Sequence, residues 1–199
     1  MIGGRIDAYE VAGAADLIDG EELSEFEHGD VNRVLRQVPG VNIQEEDSFG
    51  LFPNIGLRGA PVERSSNITL MEDGVLIAPA PYAAPAAYYF PAIGRMDAVE
   101  VIKGAGSVRY GPRTIGGAIN FRSTPIPTES LAGEASGQLG SRGYYQGHGW
   151  IGASAGNFGA LVESYQHGSD GVKTIDGLPG AETGFQRQDY RARFAVHTS

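Results

Sequence analysis

The stretch from Gln188 to Thr198 alternates between apolar and charged side chains with a period of two. Successive side chains of a β-strand point to opposite faces of the sheet, so this stretch predicts a strand with two unlike faces. An apolar face of this kind either packs on a second sheet or contacts membrane lipid in a barrel. That face would carry Tyr190, Ala192, Phe194 and Val196, and the charged face Asp189, Arg191, Arg193 and His197.

Three weaker candidates for the same kind of strand precede it, at Glu134–Leu139, Gln146–Ser154 and Phe158–His167. Their alternation is poorer because many positions are glycine. Three or four strands cannot close a barrel, and open sheet edges are not tolerated in lipid. The sequence therefore predicts either part of a soluble sheet or a fragment of a larger barrel, and we favour the fragment. Pro125-Ile126-Pro127 reads as the boundary, dividing the chain into residues 1–127 and 128–199.

Composition narrows the class of protein further. The 199 residues include 30 glycines and 11 prolines without a collagen period, which favours a turn-rich β protein. The net charge of −9, with no cluster of Lys and Arg, argues against a nucleic-acid partner. The absence of cysteine excludes disulfides, thiolate metal sites and cysteine nucleophiles. No apolar run reaches the roughly 18 residues of a transmembrane helix.

The first 127 residues predict a small mixed sheet with short helices. One helix is predicted near Gly20–Phe26, and a second follows the N-cap Asp30, with Val31, Val34, Leu35 and Val38 on one apolar face. Pro39-Gly40 ends that helix. An Asp-Gly pair between apolar runs predicts a hairpin at residues 72–74. The predicted strands are Val41–Gln44, Ile55–Gly59, Ile68–Met71, Val75–Ile77, Val99–Lys103 and Ala118–Phe121.

A proline-rich segment interrupts this sheet between residues 78 and 91. Prolines at 79, 81, 85 and 91 exclude a regular helix or a central strand there, so the segment is predicted to be a long loop. Loops of this length are usually functional or disordered, and the aromatic residues of this one favour function.

Five short motifs in order resemble the plug domain of TonB-dependent outer-membrane receptors. They are Val38-Pro39-Gly40-Val41, Asn54–Gly59, the hairpin Leu70–Leu76, Val99–Gly104, and the run from Ser107–Gly111 to Gly116–Asn120. Each motif alone is weak, but five in the family's order over about half the chain are a specific match.

The resemblance implies an α+β plug domain, residues 1–127, inside a transmembrane β-barrel of about 22 strands. Residues 128–199 would be the first antiparallel strands of that barrel. It further implies energy-coupled uptake across the outer membrane of a Gram-negative cell, driven by the TonB protein with its inner-membrane energising complex. No enzyme activity, cofactor or bound metal is expected. Met1–Arg5 could at most be the tail of the TonB-contacting segment.

By the same resemblance, Arg58 and Lys103 are the plug cations that pair with glutamates on the inner barrel wall. Lys103 stands where many relatives carry Arg, and lysine lacks the bidentate fork of a guanidinium. The alternative is that both are plain surface cations. Ion pairs between these cations and the barrel glutamates would hold the plug in register without an apolar interface.

The ligand is expected at the apical loops, Glu63–Asn67, Ala78–Phe90 and the turn Tyr110–Arg113. The loop composition and that turn are most similar to receptors for ferric chelates such as ferric dicitrate. An anionic chelate suits charge-assisted bonds from arginine. The tyrosines of the long loop could contact ligand or equally pack the loop onto the plug. The candidate ligand residues are Arg64, Tyr82, Tyr88, Tyr89 and Arg113.

Other sequence features that resemble binding or catalytic sites are better explained as ordinary structural features. Gly104-Ala105-Gly106 fits no phosphate-binding motif, and the four scattered histidines have no metal-ligand spacing. Glu45-Glu46-Asp47 is interpreted as a solvated acidic loop. The main alternative function, from a different class, is a soluble plug-like binding or signalling module without transport.

Overall fold

The structure, a computed structural model, describes residues 13–26, 29–47, 49–78, 89–171 and 183–196. The chain divides into two compact units between Thr124 and Pro125. None of the helices in these ranges is both long and apolar enough to cross a membrane. The predicted fold class, a small mixed sheet with short helices followed by antiparallel strands, is confirmed. The assignment of residues 1–127 and 128–199 to plug and barrel stays a prediction.

The first unit is built on a five-stranded sheet with the order β1-β6-β7-β4-β5. Strands β4 and β7 are parallel, and the other neighbours are antiparallel. A separate two-stranded sheet pairs β2 with β3. The strands are β1 Ala14–Ile18, β2 Val41–Gln44, β3 Asn54–Leu57, β4 Ile68–Glu72, β5 Val75–Ala78, β6 Met96–Lys103 and β7 Gly117–Ser123.

Two short helices pack on this sheet, α1 at Gly20–Phe26 and α2 at Val31–Leu35. The N-cap of α2 is Asp30, as predicted, and its carboxylate accepts the Asn32 N–H at 2.8 Å. Single 3₁₀ turns lie at Glu63–Ser65 and Ile93–Arg95, and a longer one spans Ala105–Tyr110. The four apolar residues predicted for one face of α2 and its end, Val31, Val34, Leu35 and Val38, are all buried in the core.

The predicted hairpin between β4 and β5 is also confirmed. Asp73 and Gly74 both have positive φ, +50° and +80°, which is the backbone of a tight two-residue hairpin turn. The Asp73 carboxylate accepts the Ser123 N–H at 3.0 Å and the Ser123 hydroxyl. The turn is therefore tied to the end of β7.

Strand β1 was not predicted. It lies at the edge of the sheet, antiparallel to β6, with Ala14 opposite Lys103 and Ile18 opposite Val99. Only Ile18 of this strand is buried.

The second unit is a four-stranded antiparallel sheet of consecutive strands in the order β11-β10-β9-β8. The predicted alternation is confirmed, because along β11 every second residue is exposed. From Tyr190 to Val196 the exposed positions are the apolar ones, and Tyr190 is 72% exposed and Phe194 80% exposed. The strands are β8 Ala132–Leu139, β9 Tyr145–Ala155, β10 Phe158–Ser169 and β11 Phe185–Val196.

The opposite face of this sheet is the shielded one, and it carries buried Leu161 and Tyr165 as well as polar side chains. Glu163 on β10 is buried, and its carboxylate lies 2.9 Å from Arg191 Nη2 on β11 and 2.9 Å from His148 Nε2 on β9. The Glu163 carboxylate is thus shielded and ion-paired, while the large apolar side chains of Phe158, Tyr190 and Phe194 face outward.

Candidate functional site: the cationic edge of the first sheet

The sheet topology brings several predicted site residues to one end of the first unit. Because β4 and β7 are parallel neighbours, with Ile68 opposite Gly117, the segments before them emerge at the same end. The Gly116 N–H donates to the Asn67 carbonyl at 2.9 Å and joins these segments. Strand β6 ends there too, at Lys103. We call this end the cationic edge: Arg58, Arg64, Lys103, Arg109 and Arg113.

Lys103 is the buried member of the cationic edge, with only 5% of its surface exposed. Its ammonium group lies 2.5 Å from Asp16 Oδ2 on β1 and donates to the Pro39 carbonyl at 2.7 Å. A buried ammonium needs such partners, because desolvation without them is costly. The sequence analysis missed Asp16, since β1 and β6 are far apart in the chain.

Arg58 lies beside Lys103 but is exposed. Its backbone is left-handed, with φ +52°, and its N–H donates to the Gly40 carbonyl at 2.9 Å. Its guanidinium covers Gly104, where an added Cβ would lie 2.6 Å from Nη1. The structure therefore brings Arg58 and Lys103 together around one glycine turn. Pairing of either residue with barrel glutamates stays a prediction.

Arg64 lies in the 3₁₀ turn before β4 and forms an ion pair with Glu46. Nη1 lies 2.6 Å from Oε2, and Nη2 donates to Oε1 at 2.8 Å, so the contact is bidentate. The Arg64 and Glu46 side chains are 39% and 45% exposed. The pair therefore remains open to solvent.

Glu45 and Glu46 are exposed, which agrees with the predicted solvated acidic loop, and each carboxylate of Glu45-Glu46-Asp47 also has a protein partner. Glu45 pairs with Arg36 at 2.8 Å and Glu46 pairs with Arg64. The Asp47 carboxylate accepts backbone N–H groups from Phe49, Leu51 and Phe52, and so shapes the loop after it. Three adjacent acidic residues looked alike in sequence, but their partners lie at different distances along the chain.

The loop between β6 and β7 presents the remaining cations. Arg113 is exposed, has φ +62°, and makes no ion pair with the residues that the structure describes. The Arg109 guanidinium lies 5.3 Å from the centroid of the Tyr110 ring. Ser107 fixes the loop by donating to the carbonyls of Gly104 and Thr114. This arrangement presents positive charge on a restrained backbone, which suits an anionic ligand.

Of the three predicted ligand tyrosines, the structure describes Tyr89. Tyr82 and Tyr88 lie outside the described residues, as does most of the predicted long loop. Tyr89 is 46% exposed, and its hydroxyl accepts a 3.4 Å hydrogen bond from Arg95. Arg95 is itself buried and pairs with Glu72 at 2.7 Å. This polar link between the loop and β4 was missed in the sequence analysis.

A buried polar network crosses the centre of the sheet. Glu100 on β6 is fully buried, and its carboxylate accepts the Asn120 side-chain amide of β7 at 2.8 Å. The Asn120 carbonyl oxygen in turn accepts the Gly74 N–H at 2.8 Å. Asn120 therefore connects the middle of the sheet to the hairpin turn.

Within the described ranges, no group of three or more His, Asp or Glu side chains is arranged to hold a metal ion. The two histidines in those ranges contact neighbouring side chains of the second sheet. His148 contacts Glu163, and His167 packs edge-on against Tyr144, Tyr165 and Phe185.

Comparison with known proteins identifies the family. The model of the TonB-dependent receptor plug domain matches residues 7–118, more than half of the chain. The vitamin B12 transporter BtuB of Photobacterium profundum is 27% identical over 183 residues, covering 91% of this chain and 29% of the transporter.

Solved structures agree with this match. The ferric citrate transporter FecA, in its unliganded form, superposes with a TM-score of 0.67 and 26% identity, covering 98% of this chain and 33% of FecA. The ferric yersiniabactin uptake receptor FyuA of Yersinia pestis gives a TM-score of 0.72 at 22% identity, covering 94% of this chain and 29% of FyuA.

The chain belongs to the TonB-dependent receptor plug domain family. It spans about a third of the length of the relatives it matches.

Proposed function

We propose that this chain is part of a TonB-dependent receptor in the outer membrane of a Gram-negative cell, and that the receptor imports a ferric chelate. Residues 1–127 form the plug within the barrel lumen, and residues 128–199 form the first strands of the barrel. The described part of the chain offers no arrangement of nucleophile, base and cofactor loop, so the proposal is transport rather than catalysis.

One observation carries the membrane assignment. The sheet of the second unit exposes Phe158, Val162, Tyr190 and Phe194 on one face, while Glu163 is buried on the other. Lipid stabilises an outward apolar face, and an aqueous lumen accommodates the charges. In a water-soluble module the same face would expose contiguous apolar surface, which soluble proteins rarely do.

The cationic edge supports the proposed ligand class. Arg64 and Arg113 present guanidinium groups on constrained turns, and a ferric chelate such as ferric dicitrate is anionic. Tyr82 and Tyr88 are proposed to complete this ligand surface. The Tyr89 hydroxyl instead accepts a hydrogen bond from Arg95, which lies just before β6 and pairs with Glu72 at the opposite end of the sheet. The likeness to a ferric citrate transporter at 26% identity supports this choice.

Energy for uptake comes from TonB and its inner-membrane complex, acting on the plug from below. Arg58 and Lys103 would position the plug against glutamates of the barrel wall. The exposed Arg58 has its guanidinium available for such a partner, whereas the ammonium group of Lys103 is buried and already bound by Asp16 and Pro39, which favours Arg58 for this role.

A second candidate ligand is a corrinoid, because a relative that covers 91% of the chain is a vitamin B12 transporter. A corrinoid is large and carries amide groups rather than carboxylates on its rim. It would therefore depend less on the arginines of the cationic edge.

Binding and uptake by the full-length receptor test the proposal. Cells expressing it as their sole receptor of this class should import radiolabelled iron supplied as ferric dicitrate or a ferric siderophore, and collapse of the proton-motive force should abolish import. Arg113→Ala should weaken binding of an anionic chelate by about tenfold or more. Import of cyanocobalamin without import of iron would show that the ligand is a corrinoid rather than a ferric chelate. A freely soluble product that binds ligand without import would support the soluble module instead.

A further inference from the structure

The backbone at Arg64 and Ser65 is strained. Both residues are left-handed, with φ +48° and φ +52°, although neither is glycine. Two successive non-glycine residues in this conformation are unfavourable, and such strain persists only where the surroundings impose it. Strained residues cluster at ligand clamps, so this turn is a candidate for function.

Hydrogen bonds to the segment around β3 impose the strained conformation. The Arg64 N–H donates to Asn54 Oδ1 at 2.8 Å. The buried Ser65 hydroxyl donates to the Pro53 carbonyl at 3.0 Å and accepts the Ile55 N–H at 3.0 Å. The Arg64 backbone is therefore fixed on both sides, and its side chain leaves a rigid turn.

The guanidinium of Arg64 is occupied by a carboxylate from within the chain. Glu46 contacts it through both oxygens, at 2.6 and 2.8 Å. The same carboxylate accepts a 3.3 Å hydrogen bond from the Asn54 side chain. This is the fork-to-fork geometry by which arginine binds any carboxylate, including one on a ligand.

We propose that Glu46 is a built-in competitor for the ligand: it occupies Arg64 in the empty receptor and is displaced by a carboxylate group of the bound ferric chelate. The inference rests on the proposed uptake of a carboxylate-bearing chelate. Displacement is feasible because both side chains are more than a third exposed, and exposed ion pairs are individually weak. Because a ligand must displace Glu46 to reach Arg64, Glu46 lowers the affinity of the receptor and favours ligands that carry a carboxylate.

Glu46→Gln tests this role with little effect on the fold, because the amide oxygen can still accept from Asn54. Removing the competing charge should tighten ferric dicitrate binding to the full-length receptor by about two- to fivefold. Arg64→Ala should weaken binding by about tenfold. In the Arg64→Ala background, Glu46→Gln should have no further effect, because the competitor then has nothing to occupy.

Glu45→Gln is the matched control. Glu45 is the preceding residue, also forms an exposed ion pair, with Arg36 at 2.8 Å, and changes the net charge equally. Its removal should leave affinity unchanged. Equal gains from Glu45→Gln and Glu46→Gln would overturn the inference in favour of a general charge effect, and unchanged affinity in Glu46→Gln would overturn it outright.

The outcomes also separate this inference from the proposed function. Binding of ferric dicitrate by the parent receptor with no response to Glu46→Gln rejects the competitor alone. Absence of binding by both the parent and Glu46→Gln rejects the carboxylate chelate as ligand and the competitor with it. Binding that appears only in Glu46→Gln supports the competitor.

Discussion

At the residue scale, two glycines with positive φ provide a matched test of the packing. Gly117 has φ +147°, and a Cβ there would lie 2.5 Å from the Ile102 carbonyl oxygen and 2.7 Å from Leu57 Cδ1. Gly40 has φ +79°, and a Cβ there would meet nothing within 4 Å. We expect Gly40→Ala to cost about 1 kcal/mol, from backbone strain alone. Gly117→Ala should cost about 3 kcal/mol or more, because strain and overpacking add.

Urea unfolding of the first unit, followed by amide hydrogen exchange in β6 and β7, measures both costs. Equal destabilisation by the two substitutions would show that Gly117 is not packed as described.

Asp30 gives a pH-dependent prediction. Burial raises the pKa of its carboxyl above the ordinary value, the Asn32 N–H opposes this, and the nearby Glu45 and Asp47 add to it. The folded chain therefore holds this proton more tightly than the unfolded chain does. The carboxyl favours folding below its unfolded pKa of about 4, and that contribution is lost as pH rises through the folded pKa.

Asp30→Asn keeps the helix cap and removes the charge. Its stability relative to the parent should therefore rise between about pH 4 and about pH 7. Asp30→Ala, the control, lacks the cap and should lose about 1 kcal/mol at both pH values relative to Asp30→Asn. Hydrogen exchange of the α2 amides, corrected for the intrinsic rate, measures these differences. A pH-independent difference between parent and Asp30→Asn would contradict the burial of the carboxyl.

The sequence was informative about residues whose partners are local. The N-cap role of Asp30 depends on an N–H two residues away, and it was predicted. The ion pairs of Arg64 with Glu46 and Lys103 with Asp16 were not, because each joins segments that only the folded sheet brings together.

At the scale of elements, Asn120 should couple the sheet to the β4–β5 hairpin. Asn120→Ala removes the amide donor to buried Glu100 and the acceptor for Gly74 N–H, so it should cost about 2–4 kcal/mol. In a Glu100→Gln background the loss should be smaller by about 1 kcal/mol or more, since a buried neutral amide needs the donor less than a carboxylate. A double-mutant cycle on urea unfolding measures the coupling, and strictly additive costs would contradict the network.

Elements with local signals were predicted, and those defined by distant pairing were not. The helices followed from apolar spacing and caps, and the hairpin from its Asp-Gly turn. Strand β1 has five residues without alternation, and in the described sheet it pairs with β6, more than eighty residues later. The parallel pairing of β4 with β7 likewise has no signal in the sequence of either strand. This pairing nevertheless brings the loops of the cationic edge together.

At the scale of the whole molecule, the outward face of the second sheet predicts how substitutions affect membrane assembly. On the proposal that this face contacts lipid, Phe194→Lys should destabilise the receptor in lipid by about 2–4 kcal/mol if the position lies near the bilayer midplane. Phe194→Leu, the control, keeps the position apolar and should cost far less. Urea unfolding of the full-length receptor in lipid vesicles measures both. If the Phe194→Lys receptor is as stable as the parent, this face contacts water rather than lipid.

The period-two alternation in β11 was readable in the sequence because it depends on one strand alone. Which face meets solvent was not readable, since a soluble sandwich and a lipid-facing sheet share the pattern. In the structure the apolar side chains of β11 from Tyr190 to Val196 are the exposed ones.

The accessibility of successive positions along β11 tests the central claim most directly. Nitroxide labels placed singly at positions 190 to 194 of the full-length receptor in lipid vesicles would be exposed to oxygen, which partitions into lipid, and to a water-soluble nickel complex. We predict that oxygen dominates at 190, 192 and 194 and that its effect falls at 191 and 193, which lie on the shielded face. Strong relaxation by the nickel complex at 190, 192 and 194 would contradict a lipid-facing sheet and, with it, the assignment to an outer-membrane receptor.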